Sequence, residues 1–457
     1  GRAQAHRTGQ GHADENDRRI KTKLKTYLLL TTSRCQTPGE TMFNKIGLPK
    51  NLLWGYIGLT IFMIGDGVEQ AWISIWLVEK GLSVAQASYL LTAYGVTVTL
   101  AAWVTGVLVQ TLGPRKVMLF GLVTFVIGSI GFIAIGLQTM HMAWMLPFYA
   151  IRGIGYPLFA YSFLIWINYS TPVERRATAV GWFWFTFSLG LSVIGPFFSS
   201  LALPVLGEIH VLWVGMLFVI VGSVLGIWVN RDVVPASEIH PFSAAELLKG
   251  ITILQRPVIA MGLVVKSVNG IAQYGLATFL PLYLISYGYS KTEWLHMWSA
   301  VFLVAIFANL FFGFFGDKFG WRTTIMWVGG FAYAAVLILV WAVPQVLGHN
   351  FYVMMFVLCL CGITMAGYVP LSALFPMLAP DSKGAAMSVL NLGAGLGAFI
   401  APAITALFYS SLGAGGVLGI YAGLYVLSGV LTPFLKTPQE LAAQDVVKGK
   451  GALRHSE

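Results

Sequence analysis

Twelve apolar runs, each near the roughly 20 residues a helix needs to cross a bilayer, constrain this chain more than any other feature. They cover approximately 52–78, 85–108, 117–137, 142–167, 177–201, 211–229, 257–285, 294–315, 323–343, 351–376, 384–409 and 417–435. Lipid offers the backbone no hydrogen-bond partner, so runs of this kind are forced into helices. Composition agrees: 57% of the 457 residues are hydrophobic and only 10% are charged, against about 25% charged in a typical soluble chain. The expected fold class is an all-α membrane protein, with twelve transmembrane helices in two six-helix halves.

Most connections are short. The exception, 230–256, carries Arg231, Asp232, Glu238, Glu246, Lys249 and Arg256. It divides the chain into a first six-helix bundle (42–230), a central loop (231–256), a second bundle (257–435) and a polar tail (436–457). Within the loop, Ala244 to Leu254 has the pattern of a short amphipathic helix on a membrane surface. Residues 1–41 are polar and lack Met, so Met42 reads as the natural start and 1–41 as a disordered or non-native extension.

The net charge of +10 is a matter of topology. Nucleic-acid binding needs basic residues clustered on a polar domain, and none is present. Instead Arg115, Lys116, Arg175, Arg176, Arg231, Lys249, Arg256, Lys318, Arg322, Lys383 and Lys436 share one side with both termini. The other side holds only Lys80 and Lys291. That asymmetry places both termini in the cytoplasm. Cys35, Cys359 and Cys361 have no disulfide or metal spacing, and no His looks placed as a ligand. No nucleophile–base set appears. The chain reads as a non-enzyme without cofactor or metal.

The loop after the second run reads Gly106-Val-Leu-Val-Gln110-Thr111-Leu-Gly113-Pro-Arg115-Lys116, and the loop after the eighth reads Gly313-Phe-Phe-Gly-Asp317-Lys318-Phe-Gly320-Trp-Arg322-Thr323. A shift of 207 positions puts Gly106 on Gly313, Gly113 on Gly320 and Arg115 on Arg322. A six-span unit therefore occurs twice, and internal repeats of this kind keep a substrate site near the midplane between the halves.

This pattern resembles the loop signature of the Major Facilitator Superfamily, Gly-x-x-x-Asp-(Arg/Lys)-x-Gly-x-(Arg/Lys)-(Arg/Lys). The second copy matches through Arg322; the first has Gln110 in place of the Asp and Thr111 in place of the basic residue. The resemblance implies a conformational latch formed by Gly106, Gly113, Arg115, Lys116, Gly313, Asp317, Lys318, Gly320 and Arg322, with the aspartate present in the second half only. Arg152-Gly-Ile-Gly155 resembles a further signature of that superfamily. A narrower likeness is to the polyol permeases, carried by Gly47 to Tyr56, the Gly65-Asp66-Gly67 turn, Arg152 to Phe163, Gly181-Trp-Phe-Trp184 and Ser388 to Gly395. It implies a monomeric transporter of the bacterial inner membrane that takes up a pentitol, such as ribitol or arabinitol, by proton symport.

Four charged residues lie well inside the runs: Asp66, Glu69, Arg152 and Lys266. A charge at mid-bilayer costs about 2.5–3.5 kcal/mol on insertion scales, so each needs a reason. At 1.5 Å per residue, Arg152 and Glu69 fall at the same depth. The expectation is that Arg152 pairs with Glu69, Asp66 or both. Asp66, Glu69 and Gln70 share one helix face, as do Lys266, Asn269 and Gln273, and a cavity lined by both stripes explains the alignment. Glu69, Asp66 and Arg152 are the proton-coupling candidates, with Glu69 as carrier. Asp66, Gln70, Tyr156, Trp182, Trp184, Lys266, Asn269, Gln273, Tyr274 and Asn391 are the substrate-binding candidates, suited to a chain of hydroxyls. Two alternatives stay open. Arg152 and Lys266 together would clamp the carboxylate of a sugar acid or dicarboxylate. A non-transporting membrane sensor would bind substrate without moving it.

Overall fold

The computed structural model describes residues 48–171, 173–230, 233, 241 and 244–443; the side chains of Arg175, Arg176, Asp317 and Lys383 are among those outside the description. The expectations for 1–41, Arg231, Asp232 and the tail beyond 443 also lie outside the described residues. Contacts separate 1–50 from 51–457 as two compact units. Only 48–50 of the first are described, and the membrane-spanning helices all belong to the second.

All regular structure among the described residues is helical. Helix α1 runs Leu53–Gln70 and continues as Ile73–Glu79. It is followed by α2 (Val84–Leu112), α3 (Pro114–Thr139), α4 (Met142–Ser170), α5 (173–206) and α6 (Glu208–Val229). A short helix at Ala244–Thr252 occupies the centre of the chain, in agreement with the amphipathic stretch expected there. The second half holds α7 (Pro257–Ile285), α8 (Lys291–Phe319), α9 (Trp321–Leu347) and α10 (351–378), then α11 (383–412) and α12 (414–431), which meet at Gly413 with φ +66°. Ten segments are long and apolar enough to cross a membrane among the described residues. Separating α11 from α12 and adding the 29-residue α8 gives twelve.

Local chemistry sets the punctuation. Ser83 and Ser290 open α2 and α8 with capping boxes closed by Gln86 and Glu293; each satisfies two backbone N–H groups. Gly113 and Gly320 turn the chain into α3 and α9 at φ +81° and +103°, a region other residues enter at a cost. These two glycines are the ones the 207-residue shift superposes.

Within the first half α1 packs on α6, and α3 and α2 pack on α4; within the second α7 packs on α11 and α8 on α10. The halves meet along α2 with α11 and α5 with α8. Small residues bring helices together at this seam and inside the first half. A Cβ on Gly95 would lie 2.4 Å from the Ala398 carbonyl oxygen across the seam, and one on Gly67 would lie 2.1 Å from the Leu191 carbonyl oxygen of α5. Helix α5 is wound as a π-helix over Leu189–Ile194, directly before Gly195-Pro196. Pro196 has no N–H to donate, and the widened turn brings Leu191 and Ser192 toward the centre of the molecule.

Candidate functional site: a buried ion cluster behind an uncharged cavity

Helix α1 breaks at Ala71–Trp72, immediately after its acidic stretch. A helix end leaves carbonyls without intrahelical partners, and neighbours supply them. The Val68 carbonyl accepts from the Trp72 indole N–H at 2.6 Å and from the Ser199 hydroxyl of α5. The Ala71 carbonyl accepts from the Trp294 indole N–H of α8 at 2.7 Å, and Ser74 donates to the Ala277 carbonyl of α7 at 2.9 Å. Both halves therefore grip the break. Broken helices of this kind form the sites of many carriers.

Beside the break lie three charges with almost no exposure: Asp66 at 1%, Glu69 at 2% and Arg152 at 5%. Arg152 makes a direct ion pair with Glu69, while its other terminal nitrogen stays 3.7 Å from Asp66 Oδ1. Tyr94 donates to both oxygens of Asp66 at 2.8 and 2.9 Å, and Gln70 donates to Asp66 Oδ2 at 3.1 Å. Tyr149 donates to Glu69 Oε1 at 2.7 Å. The guanidinium lies 4.5 Å from the centre of the Phe125 ring, a favourable cation–π placement. Gly128 makes the depth possible, since a Cβ there would stand 2.4 Å from the Arg152 amide nitrogen. Burial of charge is tolerable only when it is paired and hydrogen-bonded, and this cluster is. Its balance is uneven, however: two carboxylates face one guanidinium. Among the described residues, Glu69 Oε2 and Arg152 Nε have no hydrogen-bond partner.

In front of the cluster is a cavity of about 50 Å³ between the halves. Gln70, Tyr94, Tyr149, Tyr156 and Ser192 line it from the first half; Gln273, Tyr274, Trp298 and Pro402 line it from the second. Among the described residues, no charged side chain does. A water needs about 10–15 Å³ of such space, so the cavity has room for a few waters.

The sequence candidates divide accordingly. Gln70, Tyr156, Gln273 and Tyr274 come together in the cavity, with Asp66 directly behind. Lys266 is half-buried on α7, its stem crossing the bare backbone of Gly393, and it lies outside the lining. Asn269, Trp182 and Asn391 also lie outside it, Asn391 exposed. Trp184 is 39% exposed and ends a row of rings that runs from the cavity through Tyr156 and Tyr161. Sequence reasoning does not reach Tyr94 or Tyr149. A signal exists for Tyr149, because Tyr149, Arg152 and Tyr156 stand at i, i+3 and i+7 on one face. None exists for Tyr94, one aromatic in an apolar run.

Of the latch residues, Arg115 donates to the Asn230 carbonyl at 2.7 Å and covers the Trp166 ring. Arg322 donates to the Leu435 carbonyl at 3.1 Å and forks onto Glu440. These repeat-related arginines fasten the ends of α6 and α12. Lys116 and Lys318 are exposed, and no neighbour lies within reach of a Cβ on Gly106. Gly313 and Asp317 have side-chain positions outside the described residues.

Comparison with known proteins decides the family. Residues 55–346 and 292–455 match the Major Facilitator Superfamily. The chain belongs to that superfamily. The transporter is 51% identical over 401 residues to an alpha-ketoglutarate permease of Bacillus subtilis (strain 168), spanning 87% of this chain and 92% of the relative. It is 36% identical to a ribitol transporter of Klebsiella pneumoniae, spanning 86% and 93%. Its fold resembles the crystal structure of a point mutant of the nucleoside transporter NupG, with TM-score 0.65 at 14% identity, over 83% of this chain and 99% of that one. The protein is thus a multi-pass membrane transporter, and its relatives and fold are those of permeases rather than enzymes.

Proposed function

We propose that this transporter moves a small uncharged polyol, of pentitol size, together with a proton by alternating access. The neutral lining of the cavity carries the reading. The amides of Gln70 and Gln273 and the hydroxyls of Tyr274 and Ser192 present donors and acceptors on both halves, and aromatic faces close the walls. A chain of hydroxyls satisfies such a surface. A dicarboxylate entering it would lose its water without gaining a cation, at a large cost. The likeness to a ribitol transporter supports the same substrate class.

The proton belongs to the ion cluster. With both acids ionised the buried cluster carries one uncompensated negative charge, and one proton removes it. The sequence favours Glu69 as carrier, but the pairing distances favour Asp66. Arg152 holds Glu69 directly and stands off Asp66 by 3.7 Å. Once Asp66 is neutral, the guanidinium can commit fully to Glu69, whose Oε2 and the arginine's own Nε are both open to a second bond. One charge crossing 100 mV supplies about 2.3 kcal/mol, which sustains roughly a 50-fold gradient at about 1.4 kcal/mol per decade.

Sidedness follows from the basic loops: termini in the cytoplasm of a bacterial inner membrane, with the break in α1 toward the outside. The hydrogen bonds from Trp294 and Ser74 then close the outer end. A single chain suffices, because both halves of the site are in it.

One observation favours a second reading. Lys266 has no hydrogen bond or ion pair with the described residues, and the 51% relative is named for alpha-ketoglutarate, a dicarboxylate. A rearranged cavity that reached Lys266 would suit such an anion. The two readings separate by uptake into proteoliposomes of ribitol, arabinitol and alpha-ketoglutarate, with and without a protonophore, in wild type, Asp66→Asn and Lys266→Gln. The polyol reading expects pentitol accumulation abolished by the protonophore and by Asp66→Asn, and preserved in Lys266→Gln. Accumulation of alpha-ketoglutarate alone, lost in Lys266→Gln, replaces it with the second.

A further inference from the structure

Tyr94 and Tyr149 are the two side chains that touch both the cavity and the ion cluster through their hydroxyl-bearing rings. Each lines the cavity between the halves. Each also hands its only O–H to a carboxylate: Tyr94 to Asp66, bridging both oxygens at 2.8 and 2.9 Å, and Tyr149 to Glu69 at 2.7 Å. Their rings pack on each other with centres 5.2 Å apart. They come from different helices, α2 and α4, and α2 is the helix that meets α11 of the other half. A phenol has one proton to donate, so it cannot serve a carboxylate and a substrate at once.

We propose that Tyr94 is the coupling element of the carrier, a positioning residue that reports the protonation of Asp66 to the substrate cavity, with Tyr149 holding Glu69 ionised as the fixed reference. This rests on the proton-coupled reading above. With Asp66 ionised, the Tyr94 O–H is spent on it. When Asp66 takes a proton delivered from the aqueous side as hydronium, one O–H bond forms on the carboxyl group as one breaks in the hydronium, which leaves as water. Gln70 donates to Oδ2 and keeps it as the carbonyl acceptor, so the neutral acid carries its proton on Oδ1 and donates it to the Tyr94 oxygen. The hydrogen bond reverses, and the Tyr94 proton must find another acceptor. The cavity is the place the ring already faces, and a substrate hydroxyl oxygen there accepts it. Proton and polyol then stabilise each other: each supplies the partner the other leaves unpaired, which is reciprocal linkage between two sites. Without substrate, the Tyr94 donor is left to the few waters the cavity has room for, each held there at an ordering cost.

The groups facing Asp66 fit this assignment. Arg152 of α4 stands 3.7 Å away, Glu69 and Gln70 flank it on its own helix, and Tyr94 faces it from α2. Tyr156 of α4 and Tyr274 of α7 sit within electrostatic reach across the cavity. Apart from Gln70, whose amide has a second N–H to spare, Tyr94 is the direct donor to Asp66 that also lines the cavity. Tyr149 is locked differently, since its acceptor is the oxygen that Arg152 already holds.

The test uses full-length protein in liposomes with labelled ribitol, comparing wild type, Tyr94→Phe, Tyr149→Phe, Asp66→Asn and the Tyr94→Phe/Asp66→Asn pair. Two assays run side by side: counterflow without a gradient, and accumulation driven by an imposed pH gradient. In Tyr94→Phe the ratio of driven accumulation to counterflow should fall at least 10-fold, and the pH profile of counterflow should flatten. Adding Tyr94→Phe to Asp66→Asn should change that ratio by less than 2-fold. A ligand-free readout runs in parallel, the infrared carbonyl band of a protonated carboxylic acid, which should vanish in Asp66→Asn and shift in Tyr94→Phe. An unaltered ratio and pH profile in Tyr94→Phe, or fully additive losses in the pair, overturns the assignment. If Tyr94→Phe is too unstable to reconstitute, an unshifted carbonyl band in detergent overturns it equally. Wild type that is indifferent to the pH gradient defeats the proton-coupled reading, and this one with it. Wild type that is driven while Tyr94→Phe behaves identically defeats this one alone.

Discussion

Lys291, the first residue of α8, reaches Glu79 at the end of α1 with a 3.2 Å ion pair. The same ammonium lies 3.4 Å from Glu208 at the start of α6. The contact crosses from one half to the other at the end of the molecule farthest from the central helix, where Trp294 also grips α1. Lys291 and Lys80 are the two lysines that the sequence puts on that side, where it puts no arginine, so the position of Lys291 there is informative.

Lys291→Gln should loosen this end. The partners are partly exposed, with the Glu79 side chain at 51%, and a pair of that kind contributes about 0.2–1 kcal/mol. The balance between the closed and open states should therefore shift by up to about 5-fold. Cysteine labelling at a cavity-lining position such as Ser192 would read the shift from the Glu79 side. High salt should bring wild type toward the variant, because exposed charges are screened. Labelling that is blind to both salt and the substitution rules the clasp out.

Arg152→Met tests the cluster from its centre. Removing one partner of a buried pair strands the other charge, at about 3–5 kcal/mol. The single variant should therefore lose most of its thermal stability in detergent. Glu69→Gln added to it should recover part, because the carboxylate that Arg152 held directly is then gone and only Asp66 is left without the guanidinium. Equal melting temperatures for the single and the double variant would mean that Glu69 does not depend on Arg152.

How much of this is legible in sequence depends on range. Apolar run length, the Gly113/Gly320 turns and the central amphipathic helix are local properties, and the structure follows them. The pairing of Arg152 with Glu69 and Asp66 is legible because a helix converts residue number into depth. The cavity is legible only in part. Gln70 and Gln273 follow from stripe periodicity, but Lys266, Asn269 and Asn391 share that polarity without reaching the lining. Which polar face turns inward depends on how α7 rotates against α11, where Gly397 lets the backbones meet at Ser267 and Gly270 and Gly393 makes room for the Lys266 stem. Tyr94 is illegible because a tyrosine in an apolar run looks the same whether its hydroxyl meets a carboxylate or a carbonyl.

Gly95→Ala should separate folding from transport. Its added Cβ would stand 2.4 Å from the Ala398 carbonyl oxygen on α11, and a backbone atom cannot rotate away. The clash falls on the seam between halves rather than inside either, so each half should still fold. The overpacking cost, about 1–3 kcal/mol, then appears as a shifted conformational equilibrium and a loss of uptake. Gly181→Ala is the control, since no atom lies within 4 Å of its Cβ position; it should be neutral or gain about 0.5–1 kcal/mol. Comparable losses of uptake in the two variants would show that helix propensity, not the seam, governs the effect.

Arg322 and Glu440 give a prediction with a definite pH sign. Arg322 forks onto Glu440, one bond at 2.8 Å, and Thr437 and Glu440 close a capping box around the start of the tail helix at 438–443. The Arg322 hydrogen bond is the largest cause holding the Glu440 carboxyl down at about 2, against about 4.3 for a free glutamate. A depressed folded-state value means that docking of the tail is fully supported above about pH 4.3 and is lost as pH falls toward 2. The pair is partly exposed, so its contribution is discounted for solvent screening, but the direction is fixed. Hydrogen exchange of 437–443 should be slow and flat from pH 7 to 5 after correction for intrinsic rates, and protection should vanish toward pH 2. Glu440→Gln should expose the segment at every pH while leaving α9 to α12 protected. Protection of the tail in Glu440→Gln equal to wild type at pH 7 would show that the capping box, not the arginine, holds it.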